Sequence, residues 1–162
     1  MSRLLPWWLC LLGMVMLSGC TPPADDVIRM GLANAATNLD PRYATDATST
    51  RVNRLLYARL VDFDERLLPV PALAGWKQIT DRHYRFRLKK DRAAFHDGSV
   101  LTARDVAATY RSILDPANGS PQRSALMLIE RIEVLDGETL DFYIDRADPL
   151  FPGYLVIGIL PE

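Results

Sequence analysis

The sequence has few of the residues that bind metals or form disulfides. Among its 162 residues are two cysteines, Cys10 and Cys20, and two histidines, His83 and His96. A protein metal site needs three or four converging ligands, and two histidines on separate segments do not supply them. We therefore expect no metal, no cofactor and no disulfide framework.

The sequence also lacks an excess of charge of either sign. Lys and Arg total 19 and Asp and Glu total 20, for a formal net charge of −1 at pH 7. No basic stripe indicates nucleic-acid binding, and the chain has no low-complexity segment or internal repeat. Because no Gly-x-Ser-x-Gly motif is present either, no catalytic residue is assigned and the protein is not expected to be an enzyme.

What the sequence does have is a long apolar run directly after its start. Arg3 is the only charged residue before Cys20, and residues 4–17 are nearly all hydrophobic. A basic start followed by a short apolar stretch and small residues is typical of a secretory signal peptide. The run is shorter than the roughly 20 residues that a membrane-spanning helix needs.

The apolar run ends in Leu17-Ser18-Gly19-Cys20, which resembles the signal of a bacterial lipoprotein. This resemblance implies cleavage before Cys20, acylation of its thiol and anchoring to a lipid bilayer at the extracytoplasmic face of the cell envelope. More than one acyl chain makes such anchoring stable. Residues 1–19 would be the signal peptide and residues 20–26 a lipidated tether. The alternatives are an uncleaved anchor or a plain secretory peptide.

The rest of the chain mixes strand and helix patterns, which predicts an α/β fold. Residues 27–32 have the pattern of a short, largely buried strand. Residues 51–60 have a helical pattern, with Ser49 or Thr50 as the N-cap. Its predicted apolar face consists of Val52, Leu55, Leu56 and Leu60. Residues 84–89 alternate between apolar and basic side chains, which predicts a strand with one buried face.

Turn and cap signals divide the second half of the chain. Thr102 and Asp105 predict a capping box at the start of a helix. Asp97-Gly98 predicts a turn, and Asp136-Gly137 predicts the two-residue turn of a β-hairpin. Trp76 is expected to pack in the core.

Three consecutive motifs carry a family resemblance. They are Tyr84–Lys90, Phe95–Ser99 and Leu101–Val106. In this order they resemble the signature of the family 5 extracellular solute-binding proteins, which serve ABC importers of oligopeptides, dipeptides and, in some members, nickel. The agreeing flanks are Leu39-Asp40-Pro41, Leu56–Leu60, Pro71–Ala74, Ile132–Val134 and Thr139-Leu140.

The resemblance implies a fold of the periplasmic-binding-protein type II kind, in which two large lobes enclose a cleft. Family members are several times longer than this chain, so a truncated protein is expected. Residues 27–47 would form the opening strand and cleft loop of the first lobe, and residues 48–150 a small N-terminal α/β subdomain. Residues 151–162 would begin the return to the first lobe, with an exposed apolar surface at residues 155–160.

The resemblance further implies the substrate-binding component of an ABC importer, with a peptide or similar solute and a membrane permease as partners. In oligopeptide-binding relatives, the loop after the Leu-Asp-Pro motif pairs its main chain with an extended peptide. Spacing places Thr45, Asp46 and Ala47 at that position, with Asp46 available to meet the amine of the ligand. Main-chain pairing of this kind tolerates varied side chains. An ordinary solvated loop is the alternative.

Two other functions stay open at this point. One is a self-standing envelope lipoprotein that acts as an interaction or structural module. The other is a lipoprotein hydrolase, for which the sequence shows no polar triad.

Overall fold

The computed structural model describes residue 27 and residues 29–162. The predicted signal peptide, the tether and Cys20 lie outside these residues. The chain divides into one unit of residues 1–31 and another of residues 32–162. No helix within the described residues is long and apolar enough to cross a membrane.

The strand predicted at residues 27–32 is wrong for the residues that are described there. Residues 27 and 29–32 have no regular secondary structure. Val27, Met30 and Leu32 are exposed. A strand needs a neighbour to satisfy its backbone amides and carbonyls, and none of the described β-ladders includes these residues.

Helices and strands both contribute to the second unit, in agreement with the predicted α/β class. In chain order the elements are α1 (Ala47–Leu56), β1 (Val61–Phe63), β2 (Pro69–Pro71), β3 (Ala74–Thr80), β4 (His83–Leu88), α2 (Ala103–Leu114), α3 (Arg123–Leu126), β5 (Ile129–Val134) and β6 (Thr139–Ile144). Short 3-10 helices cover Pro116–Asn118 and Phe151–Tyr154.

The main sheet has four antiparallel strands in the order β3-β4-β6-β5, and β1 pairs with β2 in a separate ladder. The predicted alternation along β4 is confirmed. Tyr84, Phe86 and Leu88 are buried, whereas Arg85 and Arg87 face outward. Successive side chains of a strand point to opposite faces, so one face of β4 supplies the core and the other a polar surface.

Helix α2 covers the inner face of the sheet, and its predicted capping box is confirmed. Both the amide and the hydroxyl of Thr102 donate to Asp105 Oδ2 at 2.7 Å. Val106, Tyr110 and Ile113 are fully buried on the side of α2 that belongs to the core.

The centre of this core is aromatic. The ring of Phe142 lies 5.4 Å from that of Phe86, 5.7 Å from that of Tyr110 and 5.6 Å from that of Phe151. Trp76 is partly buried and stacks on Phe86 at 5.9 Å, so its predicted core position is confirmed at the edge of the cluster.

The hairpin between β5 and β6 forms, but its two-residue turn does not. The Leu135 amide donates to the Thr139 carbonyl at 2.9 Å, which leaves three residues in the loop. A two-residue type I′ turn needs positive φ at both central residues. Among the described glycines, only Gly98 and Gly119 have positive φ. The Asp97-Gly98 turn is confirmed, since the Gly98 amide donates to the Phe95 carbonyl.

The expected exposed apolar surface at residues 155–160 is also wrong. Leu155 is 0% exposed and Ile159 is 2% exposed. The Ile159 amide donates to the Ala58 carbonyl at 2.9 Å, and the Leu160 amide donates to Thr109 Oγ1 at 3.1 Å. This segment therefore packs against the link between α1 and β1 and against α2.

On the outer face of the sheet, Asp141 forms a buried ion cluster. It is 1% exposed. Arg85 donates to both carboxylate oxygens at 2.8 Å, and His83 Nε2 lies 2.9 Å from Oδ2. Hydrogen bonds from Arg85 lower the pKa of Asp141; burial acts in the opposite direction, and His83 adds to the lowering.

We expect Asp141→Asn to lower the free energy of unfolding by about 1.5–3 kcal/mol at neutral pH, the range for a hydrogen bond to a charged group. Because the folded pKa is depressed, the contribution of Asp141 is present above the unfolded carboxyl pKa of about 3.9 and is lost as pH falls through the folded pKa. Urea unfolding of both proteins from pH 7 to pH 2 measures this. A difference that stays constant over that range would contradict the assignment.

Candidate ligand-binding loop and cavity

The predicted ligand contacts lie where residues 37–46, here named the cleft loop, enter α1. Asp40 starts a tight turn, because its carbonyl accepts from the amides of Tyr43 and Ala44 at 3.0 and 3.1 Å. Its carboxylate accepts from the amide of Arg42 at 2.9 Å. The Asp-Pro step thus folds the loop back before the helix begins.

Asp46 is the N-cap of α1. Its Oδ1 accepts from the Ser49 amide at 2.8 Å, and its Oδ2 accepts from the Thr37 hydroxyl at 2.6 Å. Hydrogen bonds from Ser49 and then from Thr37 lower the pKa of Asp46. The carboxylate is therefore ionised at neutral pH, with both oxygens already used to cap the helix and hold the loop.

The three predicted contact residues are adjacent in space but differ in exposure. Thr45 and Ala47 are exposed, and Asp46 is half-buried. Thr45 and Ala47 thus lie at the surface on either side of the cap. A carboxylate has about four lone-pair sites, so Asp46 can accept further hydrogen bonds from a ligand.

The helix prediction for residues 51–60 is wrong in its start, end and buried face. The helix is Ala47–Leu56 and is capped by Asp46, because the Asp46 side chain reaches the Ser49 amide. Tyr57 is extended, so Leu60 enters the core from outside the helix. Leu55, which was predicted to lie on the buried apolar face, is 71% exposed.

Ser49 is buried and ties the cleft loop to the helix. Its Oγ accepts from the amides of Thr37 and Asn38 at 2.9 and 3.0 Å. Two amides that would otherwise lack a partner are thereby satisfied, so the buried side of α1 is polar rather than apolar.

The other side of the loop is held by polar groups far along the sequence. Arg42 pairs with Asp40 at 2.7 Å and donates to Ser112 Oγ at 2.9 Å. The Ser120 hydroxyl donates to the Arg42 carbonyl at 2.6 Å, and Gln122 Nε2 donates to the Ala44 carbonyl at 2.7 Å. Isolated polar residues such as these give no sequence signal, which is why they were missed.

We expect Ser49→Ala to loosen the cleft loop and to cost about 1–3 kcal/mol, because it leaves two backbone amides unpaired. Hydrogen exchange at Thr37 and Asn38 should accelerate selectively. The matched control is Ser124→Ala, a serine-to-alanine change at an exposed position in α3. Unchanged exchange at both amides in Ser49→Ala would show that Ser49 does not hold the loop.

A cavity of about 220 Å³ lies beside the cleft loop. Pro41 and Ala44 of the loop, Asn53 of α1, Phe63 of β1 and Val156 of the C-terminal segment contribute to its wall. Asn53 is 7% exposed, and neither its Nδ2 nor its Oδ1 has a hydrogen-bond partner within the described residues. The wall thus combines apolar surface with one unpaired amide.

Gly158 allows the C-terminal segment to approach the loop closely. A Cβ at this position would collide with Cβ of Tyr57 and come within 3.3 Å of Cβ of Pro41. Arg59 and Gly158 form an isolated antiparallel bridge at the same point. Only glycine fits here, so the position of this cavity wall depends on it.

Metal ligands do not gather in the part of the chain that the structure describes. No group of three or more His, Cys, Asp or Glu side chains is placed there to hold an ion. His83 lies on β4 beside Asp141, and His96 lies in the turn before Gly98.

The family model described as "Bacterial extracellular solute-binding proteins, family 5 Middle" matches residues 67–160. The chain belongs to this family, as its motifs predict.

Known proteins support this assignment. The chain is 28% identical over 144 residues to the uncharacterized protein YhjP of Bacillus subtilis, covering 85% of this chain and 25% of that protein. It is 34% identical over 85 residues to the periplasmic murein peptide-binding protein MppA of Escherichia coli, covering 52% and 16%.

Among solved structures, NikZ of Campylobacter jejuni in complex with Ni(L-His) matches with a TM-score of 0.70 at 28% identity, over 79% of this chain and 26% of that one. The predicted fold class is therefore confirmed as part of a larger binding-protein fold. The chain spans a quarter or less of the length of the curated relatives it matches.

Proposed function

We propose that this chain is part of the substrate-binding component of an ABC importer that takes up peptides or a similar solute. The observation that carries the proposal is a rigidly held cleft loop, with exposed residues at Thr45 and Ala47, in a chain of the family 5 solute-binding proteins. Relatives are named as murein peptide-binding and oligopeptide-binding proteins.

The proposed contacts are Thr45, Asp46 and Ala47. An extended peptide would pair with the backbone of these surface residues, in the manner of an added strand. Asp46 is ionised, so it would attract the amine of a peptide without giving up its role as helix cap. The reaction is binding and release, with no bond made or broken in the solute.

The location and partners follow from the same proposal. The protein would lie at the extracytoplasmic face, anchored through lipid on Cys20, and would deliver its solute to a membrane permease. Residues 27–47 would belong to the first lobe, residues 48–150 to a small subdomain and residues 151–162 to a return towards that lobe.

Peptide titration followed by ¹⁵N–¹H NMR tests the binding function. Because the chain corresponds to about a quarter of its relatives, we expect trialanine to bind the full chain only in the millimolar range. The amide signals of residues 45–47 should shift together and saturate. Signals that move elsewhere, or not at all, would argue against these contacts. Micromolar affinity would contradict the expectation that tight binding needs the part of the fold that this chain does not cover.

A second candidate, a self-standing envelope lipoprotein acting as an interaction module, is favoured by one observation. Leu155 and Ile159 are buried, as expected of a domain that folds by itself. This candidate predicts cooperative urea unfolding together with no response of residues 45–47 to any peptide.

A further inference from the structure

Strand β5 pairs with β6 on one side and has an open edge on the other. The sheet order is β3-β4-β6-β5, so no strand follows β5 in the part of the chain that the structure describes. In an antiparallel ladder, the backbone groups of alternate residues point away from the partner strand. Val134 lies opposite Leu140, and the amide of its neighbour Leu135 donates inward to the Thr139 carbonyl. The N–H and C=O of Val134 therefore point to the open edge.

The same alternation holds two residues earlier, at Ile132. Arg111 Nη2 donates to the Ile132 carbonyl at 2.8 Å, which places this carbonyl at the edge with a guanidinium group against it. Val134 is half-buried, and no backbone hydrogen bond outside the ladder involves it within the described residues. A strand edge of this kind can accept a further strand.

A groove separates this edge from helix α2. It encloses a cavity of about 470 Å³, here named the edge groove. Its wall consists of residues 131–134 around the edge, Arg104 and Arg111 of α2, and Glu162. None of residues 37–47 contributes to it, so the edge groove is separate from the cleft loop.

The arginines of α2 make the edge groove attractive to carboxylates. Both are exposed. Arg104 forms no side-chain hydrogen bond or ion pair with any described residue, and Arg111 bonds only to the Ile132 carbonyl. Arg131 is already paired with Glu133 at 2.6 Å. Glu162 lies in the same wall and is in no ion pair with either arginine of α2 within the described residues.

The two arginines lie at opposite ends of the edge groove. Arg111 contacts Ile132, whereas Arg104 shares a second cavity wall with Val134. Seven helical residues correspond to about 10.5 Å, and alternate residues of a strand lie about 6.8 Å apart. Residues directly opposite each other in a ladder point to the same face. An added strand would therefore direct alternate side chains to the α2 side, within reach of both arginines.

We propose that the edge groove binds an extended acidic segment of a partner protein, which adds to β5 as a strand. The residue opposite Val134 would exchange two backbone hydrogen bonds with it. Carboxylates at alternate positions would pair with Arg104 and Arg111. Backbone pairing then supplies the docking geometry, and charge selects the partner. The proposal goes beyond solute binding at residues 45–47 and does not depend on it.

Titration of the full chain with Ac-Glu-Thr-Glu-Thr-Glu-NH₂, followed by ¹⁵N–¹H NMR, tests the groove. We expect saturable shifts of the amides of residues 132–134. The glutamine analogue Ac-Gln-Thr-Gln-Thr-Gln-NH₂ should bind about tenfold more weakly because it forms neither ion pair. The lysine analogue should not bind. The difference between the glutamate and glutamine peptides should shrink at 0.5 M salt, since exposed ion pairs are screened.

Two N-methylated peptides of unchanged charge test strand addition. The glutamates would face α2 and exchange hydrogen bonds with Val134, so N-methylation of the glutamates should abolish binding. N-methylation of the threonines should leave binding intact, because their amides would point away from β5. Equal affinity of the two methylated peptides would show that the segment does not add as a strand.

The variant Arg104→Gln tests the charge, since no described contact holds this side chain. It should weaken binding of the glutamate peptide about threefold, the effect of one exposed ion pair. The matched control is Arg51→Gln, at an exposed position on α1, which should change nothing. An unchanged affinity in Arg104→Gln, or equal binding of the glutamate and glutamine peptides, would overturn the proposal.

The position of the shifts separates the remaining outcomes. Shifts at residues 45–47 without shifts at residues 132–134 would support the proposed function and overturn the edge groove. Shifts at residues 132–134 alone would support the edge groove whatever the outcome at the cleft loop. Val134 shifts that grow with protein concentration before peptide is added would assign the edge to a second copy of the chain and overturn the proposal.

Discussion

Replacing Phe142 with alanine is expected to lower the free energy of unfolding by about 3–5 kcal/mol, the usual cost of removing a buried aromatic ring. Phe142 is 0% exposed. Its ring contacts those of Phe86, Tyr110 and Phe151, which come from β4, from α2 and from the 3-10 helix before the C-terminal segment. One ring therefore joins the sheet, its covering helix and the chain that leads to the cavity wall.

The matched control is Tyr143→Ala, at the next position on β6. Tyr143 faces the outer side of the sheet, where it stacks on His83 and lies under Arg131. It leaves no core cavity when truncated, so its cost should be much smaller. Urea unfolding followed by circular dichroism measures both variants. A Phe142→Ala cost no greater than that of Tyr143→Ala would show that the aromatic cluster does not hold the elements together.

Local signals predicted local structure well. The alternation along β4 needs only a period of two and one apolar core, and the structure buries Tyr84, Phe86 and Leu88 accordingly. The capping box at Thr102 and Asp105 depends on residues three positions apart. Such features depend only on residues that are close together in the sequence, which is why a single sequence reveals them.

The predictions that were wrong concern segments whose structure depends on contacts with residues far away in the sequence. Helix α1 buries Ser49, because the amides of Thr37 and Asn38 find their acceptor there. Its apolar Leu55 is left exposed. Periodicity predicts which face is apolar, but polar contacts over a dozen residues can bury the other face instead.

The C-terminal segment, residues 155–160, is a second case in which distant contacts decide burial. Val156 and Ile157 are apolar enough to suggest a surface without a partner, yet the Ile159 amide pairs with the Ala58 carbonyl. Pairing over a hundred residues leaves no short-range pattern. The candidate site combines both cases: the family resemblance predicts ligand contacts at residues 45–47, whereas the cavity behind the loop and the unpaired Asn53 leave no signal in the sequence.

Loss of lipid from Cys20→Ser is the second large effect that we expect, and it should be complete. Only a thiol at this position can carry the thioether-linked lipid implied by Leu17-Ser18-Gly19-Cys20. Each buried methylene contributes about 0.8 kcal/mol to membrane binding, so an anchor with several acyl chains holds a protein where a single chain is marginal. Under the proposed function, a protein without this anchor would leave the vicinity of the permease and lose the benefit of effective concentration.

Expression of the full chain in a bacterial host with radiolabelled palmitate tests the anchor. The unchanged protein should incorporate label and stay with the membrane fraction, whereas Cys20→Ser should carry no label and keep its signal uncleaved. Cys10→Ser is the matched control, because Cys10 lies inside the apolar run; it should leave labelling unchanged. Cleaved but unlabelled wild-type protein would identify a plain secretory peptide, and uncleaved unlabelled protein an anchor. Label that is present in the unchanged protein and in Cys10→Ser but absent from Cys20→Ser would support the lipid anchor.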